Sequence, residues 1–163
     1  MKRNIIRSKP ADMSPMDAAL SYLTARMRTV REVEERLDDL QYGEGDILTT
    51  VNRLQELNLL NDAEYAREFV RTRLASKPVS RQKLYMDLKT HKVPEELIRA
   101  ALEELPTETE ADSAREVAEK FWRQMSGLEE SVRRERVLRR LMSRGFSTEA
   151  SLAAIRQVAE AEE

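Results

Sequence analysis

The chain has 163 residues, of which 40% are hydrophobic, 36% are charged and none is cysteine, with a formal net charge of −2. This composition excludes disulfides and thiolate metal sites, and no apolar run approaches the roughly 18 residues of a membrane-spanning helix. Helix-favouring alanine, leucine, glutamate, arginine and methionine dominate, whereas aromatic residues and glycine are scarce, which predicts an all-α protein. The basic N-terminus lacks the apolar stretch of a signal peptide, so a cytoplasmic protein is expected.

Hydrophobic residues recur along the chain with a period near fifty residues. The anchors Leu37, Leu88 and Leu141 stand 51 and 53 residues apart, and apolar residues follow them at +10, +14 and +17. The third copy is looser, because Ser151 takes the +10 position and Leu152 stands beside it. Such a period predicts an elongated, curved array of helical modules. The predicted segments are a disordered tail at 1–13 and modules at 14–60, 61–106 and 107–160.

Each module is predicted to contain three helices. In the first module these helices span about 16–27, 30–41 and 45–57. Thr29 and Glu32 have capping-box spacing at the start of the second helix. Gly43 and Gly45 indicate the turn that precedes the third helix.

The second module repeats this organisation. Its predicted helices span about 62–75, 81–91 and 95–105. Asn61 and Glu64 have capping-box spacing, Ser80 is a suitable N-cap, and Pro94 suits the first turn of the third helix. His91, the single histidine, ends the second helix, where the helix dipole favours a surface histidine over a catalytic one.

The third module shows the same signals. Its predicted helices span about 110–125, 131–143 and 148–160. Thr107 and Glu110 have capping-box spacing, Ser147 is a suitable N-cap, and Gly145 marks a turn. Trp122, the single tryptophan, is interpreted as a core residue, since large aromatic side chains are usually buried.

Charge is segregated along the chain although the total is small. Residues 67–92 carry eight basic and two acidic residues, a net +6, and residues 120–144 carry eight basic and three acidic residues, a net +5. Residues 101–119 carry seven acids and one arginine, a net −6. The basic segments indicate an anionic partner, whereas a solvated face with local ion pairs is the alternative for any single arginine. Neither a catalytic constellation nor a phosphate-binding loop is present in the sequence, so no enzyme activity, cofactor or metal is expected.

Three motifs, in this order, resemble the RecX family of regulatory proteins. They are ALSYLTARMRTVREVEERL at 19–37, NLLNDAEYAREFVRTR at 58–73 and RVLRRLMSRGFSTEA at 136–150. The resemblance covers about residues 16–158. Asn58 and Lys92 stand where glycine is common in the family. In the first module the segment QYGEG at 41–45 shifts the turn glycine from its usual position in the family.

The resemblance implies a regulator of three tandem three-helix modules, not an enzyme. It implies binding to the RecA recombinase and its nucleoprotein filament, which limits filament assembly, ATP hydrolysis and strand exchange in recombination, DNA repair and the SOS response. Single- or double-stranded DNA is a further expected partner, a membrane is not, and a monomer is expected. A stand-alone DNA-binding module of helix-turn-helix type is the alternative, although the isoelectric point near 5.7 counts against it.

Basic residues of the second and third modules are the predicted contacts with the RecA filament or DNA. Their assignment rests on local charge and helical spacing, and the family motifs directly support Arg71, Arg73 and Arg144. Arg73 borders the packed face of its helix, so a structural role between modules is the alternative for it. The predicted contacts are Arg67, Arg71, Arg73, Lys77, Arg81, Lys83, Arg133, Arg136, Arg139, Arg140 and Arg144.

Overall fold

The computed structural model describes residues 13–106 and 108–162, and these residues form nine α-helices without any strand. The helices are α1 (Pro15–Leu23), α2 (Val30–Asp39), α3 (Glu44–Glu56), α4 (Asp62–Ser76), α5 (Arg81–Thr90), α6 (Glu95–Glu103), α7 (Thr109–Gln124), α8 (Glu130–Met142) and α9 (Thr148–Glu160). The predicted all-α class is therefore confirmed. Within the described ranges, no helix is both long enough and apolar enough to cross a membrane.

Each set of three consecutive helices encloses its own hydrophobic core. Helices α1–α3, α4–α6 and α7–α9 pack extensively within their own sets, and contacts between the sets are sparse. Leu37, Leu88 and Leu141 are completely buried, each in a different core. The predicted tandem three-helix modules are therefore confirmed, and the fifty-residue period reflects the burial of one equivalent leucine in every module.

The second helix of every module ends in the same turn. The residue four positions after the anchor leucine is left-handed, with φ of 65° at Gln41, 61° at Lys92 and 86° at Gly145. The following residue is buried and donates its backbone N–H to the anchor carbonyl, which closes a Schellman-type turn. These following residues are Tyr42, Val93 and Phe146. Gln41 and Lys92 adopt this conformation at a cost of about 1 kcal/mol each, since their Cβ crowds the next carbonyl.

Several predicted helix caps are confirmed. Thr29 and Glu32 form a reciprocal capping box, in which each side chain accepts the backbone N–H of the other residue. Asn61, Ser80 and Ser147 each accept a backbone N–H of the first turn that follows. These local bonds start α2, α4, α5 and α9 where the sequence signals placed them.

Other helix-end predictions are wrong. Helix α1 ends at Leu23, not near residue 27, because the chain must reverse direction before α2 can pack back against α1. Gly45 lies inside α3 instead of in the turn before it, whereas Gly43 lies in that turn as predicted and is the N-cap of α3. Pro94 is the N-cap of α6 instead of a first-turn residue.

The start of α7 and the N-terminal tail were predicted in part on residues that the structure leaves undescribed. Thr107 lies outside the described residues, and the N-cap of α7 is Glu108. The tail predicted at 1–13 lies outside them too, except for Met13, whose carbonyl accepts the Tyr42 hydroxyl at 2.6 Å.

Ser151 occupies an unfavourable place in the third core. It is completely buried, and its hydroxyl has no hydrogen-bond partner among the described residues, whereas Leu152 is 48% exposed. We expect Ser151→Ala to raise the free energy of unfolding by about 1 kcal/mol, because it removes an unsatisfied buried hydroxyl and favours the helix. Urea denaturation measures this change. The exposed Ser21→Ala in α1 is the control for helix propensity alone, and a loss of stability in Ser151→Ala would contradict the prediction.

Candidate partner-binding surface

Arg67 and Arg71 project from the exposed face of α4 and form weak ion pairs. Arg71 Nη2 lies 2.6 Å from Glu68 Oε1 on the same helix. Arg67 Nη1 lies 3.6 Å from Glu104 Oε1 of α6. Because the two arginine side chains are 50–74% exposed, solvent screens both ion pairs and neither contributes much to stability. Both arginines remain accessible to a partner.

Arg73 and Lys83 neutralise Asp87 inside the second module. Arg73 Nη2 donates to Asp87 Oδ2 at 3.0 Å, and Lys83 Nζ donates to Asp87 Oδ1 at 2.6 Å. Burial raises the pKa of Asp87, but these two hydrogen bonds outweigh it and hold the pKa below its ordinary value. Arg73 therefore has a structural contact, which joins α4 to α5 within one module and not one module to the next.

Arg81 fixes the end of α6. Its guanidinium donates to the backbone carbonyls of Leu102 at 2.5 Å, Leu105 at 3.0 Å and Pro106 at 2.7 Å. Leu102 lies in the last turn of α6, and Leu105 and Pro106 follow the helix, where backbone N–H groups satisfy the carbonyls only in part. Arg81 thus binds the C-terminal end of the second module, and few of its N–H donors remain for another molecule.

Arg133, a predicted partner contact, is buried against the third core, whereas Arg136 and Arg140 are exposed. Its Nε donates to the Trp122 carbonyl at 2.8 Å, and its two Nη atoms donate to Glu162 at 2.6 and 3.0 Å. Its Cζ lies 4.0 Å from the centroid of the Trp122 ring, which is buried as predicted. The reason is helical spacing, since residues 133, 137 and 141 form one core-facing stripe.

Five of the predicted contacts have no carboxylate partner among the described residues, and one of them, Arg81, is bound to three backbone carbonyls instead. Arg139 pairs with Glu135, but no carboxylate among residues 13–106 and 108–162 lies within 4.0 Å of the remaining four cations. We name these four the basic row: Lys77, Arg136, Arg140 and Arg144. Arg136, Arg140 and Arg144 follow one another at intervals of four residues along α8 and its end.

Two residues of the basic row lie beside one aromatic ring. The Cζ atoms of Arg140 and Arg144 lie 5.4 and 5.3 Å from the centroid of Phe121 in α7. Burial lowers the pKa of Arg144, repulsion from Arg140 lowers it further, and Glu116 partly opposes both effects. This crowding of like charge is unfavourable without an anion and is relieved when one binds.

The contact between the second and third modules, here called the joint, brings Arg144 next to the linker that carries Lys77. Arg144 Nη1 donates to the Pro78 carbonyl at 3.1 Å, and the Ser80 N–H donates to the Arg144 carbonyl at 3.1 Å. Lys77 directly precedes Pro78, so the α4–α5 linker brings a cation from the second module to α8 of the third. Sequence reasoning could not place these residues together, because they are more than sixty positions apart.

The contact between the first and second modules is made by residues at the same positions of the repeat as the contact between the second and third. Thr29 Oγ1 donates to the His91 carbonyl at 2.9 Å, and His91 Nδ1 lies 2.9 Å from Glu32 Oε1. His91 and Arg144 each stand three residues after an anchor leucine. His91 therefore contacts the first module in addition to ending α5. The repeat could have indicated this role, because His91 and Arg144 occupy equivalent positions in their modules.

Comparison with known proteins agrees with the three modules. Family models described as the first, second and third three-helix domains of RecX match residues 16–54, 61–102 and 108–159. A regulatory protein RecX from Streptomyces coelicolor is 31% identical over 143 residues, which cover 88% of this chain and 76% of that protein. A regulatory protein RecX from Levilactobacillus brevis is 30% identical over 131 residues, 80% of this chain and 49% of that longer protein. The crystal structure of RecX from Lactobacillus salivarius superimposes with a TM-score of 0.77 at 26% identity, covering 89% of this chain and 94% of that one.

Proposed function

Because this chain belongs to the RecX family of regulatory proteins, we propose that it binds the RecA recombinase and the RecA–DNA filament. Binding limits filament assembly and extension, ATP hydrolysis and strand exchange. The protein acts as a regulator in the cytoplasm, as a monomer and without a cofactor. The modules defined above, at 14–60, 61–106 and 107–160, act as one array in this role.

The basic row is the observation that carries this proposal at the level of residues. Its guanidinium groups are exposed or half-buried, and they have no carboxylate partner among the described residues. Planar guanidinium groups bind phosphates and carboxylates with paired hydrogen bonds, so either filament DNA or an acidic RecA surface is a suitable partner. Arg67 and Arg71 are secondary contacts, because their exposed ion pairs can be exchanged at little cost.

Charge reversal in the basic row tests the proposal. We expect Arg136→Glu with Arg140→Glu to raise the concentration needed for half-inhibition of RecA ATP hydrolysis on single-stranded DNA at least tenfold. Tenfold corresponds to about 1.4 kcal/mol of binding free energy. Attraction becomes repulsion in this variant, while the buried face of α8 stays unchanged.

The matched control is Arg53→Glu with Arg99→Glu, which makes the same change in net charge on exposed faces of α3 and α6. This control should inhibit like the unaltered protein. Equal inhibition by all three proteins would remove the basic row from the interface. If the unaltered protein changes neither ATP hydrolysis nor filament length at stoichiometric amounts, RecA regulation itself is wrong.

A gel shift over a salt series separates this function from the helix-turn-helix alternative. A stand-alone DNA-binding protein should bind duplex DNA tightly without RecA, and its affinity should fall steeply with salt. A RecA regulator requires the filament for its full affinity. Tight binding to duplex DNA, together with no effect on RecA, would favour the alternative.

A further inference from the structure

The first module has a strongly acidic segment at 32–46, which covers most of α2, the turn and the start of α3. This segment carries seven acidic residues and one arginine, a net −6. Asp38 in the last turn of α2 and Glu44 in the first turn of α3 are both exposed, and no cation of the described ranges lies within 4.0 Å of either carboxylate. Like charges gathered in one place repel one another unless a cation binds. This end of the module therefore favours a positively charged occupant and repels a nucleic acid.

A groove between α2 and α3 contains both of these carboxylates and an apolar wall. Ile47 and Leu48 line its α3 side, and Leu48 is 60% exposed, more than any other large hydrophobic side chain of the described ranges. On the α2 side, Arg31 already pairs with Glu34 at 3.1 Å and Glu35 at 3.5 Å, so the unpaired carboxylates are at the end beside the turn. The volume of the groove, about 250 Å³, is smaller than most pockets for small molecules, so a few side chains of a peptide fit it better.

The described chain starts close to the turn between α2 and α3. The carbonyl of Met13 accepts the hydroxyl of Tyr42, which lies in that turn. Residues 1–12 precede this point and lie outside the described residues. They carry four basic residues and one acidic residue, a net +3, together with the adjacent pair Ile5 and Ile6. Twelve residues span at most about 40 Å, whereas the ten residues of α2 are about 15 Å long, so the segment is long enough to follow the whole groove.

We propose that residues 1–12 bind this groove of their own molecule, where their cations meet Asp38 and Glu44 and their two isoleucines cover Leu48. The charge of the segment is opposite to that of the groove, and its apolar pair matches the exposed leucine. Because the segment is tethered to the first module through Met13, it meets the groove at a high effective concentration, which a separate basic protein lacks. This inference goes beyond the proposed function, since it concerns this chain without RecA.

The order of residues in the segment matches the order of groups in the groove. Lys9 is four residues from Met13, a distance of at most about 14 Å, so it can reach the acidic end beside the turn. Ile6 comes three residues earlier in the chain, and Leu48 lies one helical turn beyond Glu44, so the apolar contact follows the ion pair along the groove. Both contacts are needed, because exposed ion pairs alone contribute little, whereas burial of the leucine against isoleucine is favourable.

The experiment is paramagnetic relaxation enhancement on the full chain, whose sequence contains no cysteine. Ser8→Cys carries a nitroxide label between the basic and the apolar residues of the segment, and the spectrum of isotopically labelled protein shows which amide signals it broadens. We expect the amide signals of Ile47 and Leu48 to lose at least half of their intensity relative to the same protein with the nitroxide reduced. Asp38→Lys with Glu44→Lys should restore these signals, because attraction becomes repulsion.

The matched control is Glu149→Lys with Glu160→Lys, which makes a charge reversal of the same size at exposed positions in the first and last turns of α9. This control should keep the broadening at α3. Ile5→Ser with Ile6→Ser should reduce the broadening, because it removes the apolar contact and leaves every charge of the segment in place. The dispersion of the amide signals establishes that every variant is folded.

Two results would overturn the inference. The first is equal broadening in the charge-reversed protein Asp38→Lys with Glu44→Lys, or none in the protein that keeps both acids, because the segment would then pass the groove without binding it. The second comes from mixing nitroxide-labelled protein that is isotopically unlabelled with isotopically labelled protein that has no nitroxide. Broadening in this mixture would assign the groove to the segment of a second copy. RecA inhibition is a separate readout, so the proposed function stands or falls independently.

Discussion

Replacing Gly145 by alanine is expected to lower the free energy of unfolding by about 3 kcal/mol and to loosen the joint between the second and third modules. Gly145 has φ of 86°, which costs a residue with a side chain about 1 kcal/mol. A Cβ there would lie 2.5 Å from Ser80 Oγ and 2.9 Å from Lys83 Cβ, both in α5 or at its N-cap. Overpacking of this kind costs about 1–3 kcal/mol more, because α5 must shift. Urea denaturation followed by circular dichroism measures the loss.

Gly45→Ala is the matched control for the same chemical change. Nothing lies within 4 Å of a Cβ at Gly45, which is in the first turn of α3, so alanine should raise stability by about 0.5 kcal/mol. The two variants should therefore move in opposite directions. Equal stability of Gly145→Ala and the unaltered protein would show that the modules do not approach closely in solution. RecA inhibition should also fall in Gly145→Ala, because Arg144 of the basic row is bonded to Pro78 across this joint.

Replacing Arg133 by alanine is expected to destabilise the third module by about 3 kcal/mol. The change removes the hydrogen bond to the Trp122 carbonyl, both hydrogen bonds to Glu162 and the stacking on the Trp122 ring. Arg133→Lys should restore little of the lost stability, because lysine lacks the planar guanidinium group that can bond to all of these partners at once. Trp122 is the single tryptophan, so its fluorescence during urea denaturation reports the unfolding of this module.

Arg134→Ala is the control beside it. Arg134 pairs with Glu130 on the exposed surface, and its loss should change stability by no more than about 0.5 kcal/mol. If Arg133→Ala and Arg134→Ala unfold at the same urea concentration, the buried contacts of Arg133 contribute nothing.

Glu162 adds a dependence on pH to this prediction. Hydrogen bonds from Arg133 and Trp122 hold the pKa of Glu162 below its ordinary value. A carboxylate with a lowered folded pKa stabilises the protein above its unfolded pKa, and this contribution disappears as the pH falls through the folded value. The stability difference between the unaltered protein and Glu162→Gln should therefore be full near neutral pH, shrink as the pH falls below the ordinary pKa of glutamate, and vanish only below the lowered folded pKa. A difference that persists in acid would mean that packing, not charge, holds Glu162.

The modular fold was predictable because its signals are local. The spacing of Leu37, Leu88 and Leu141 indicates the repeat. N-cap residues with a hydroxyl or amide side chain, such as Thr29 and Asn61, indicate where helices start to within a few residues. Helix ends were less predictable where no capping side chain or glycine acts, as at the end of α1. The left-handed turns at Gln41 and Lys92 were hidden too, because neither residue usually adopts this conformation.

The candidate surface was predictable only as a set of basic segments. Local charge counts marked residues 67–92 and 120–144 as cationic, and the structure leaves the side chains of Arg67 and Arg71 exposed. Counting could not separate Arg133 from Arg136, although the two are three residues apart and one is buried while the other is exposed.

What the sequence determined by itself is therefore the all-α class, the threefold repeat and the family, since periodicity, caps and motifs are properties of neighbouring residues. What only the tertiary structure decided is which cations are available to a partner. Arg67 meets Glu104, Arg81 meets the end of α6, and Arg133 meets Glu162, each across more than twenty positions of the chain. The strength of an ion pair depends on the distance between the charges in space. Only the packed structure therefore distinguishes the arginines that have a partner from those that do not.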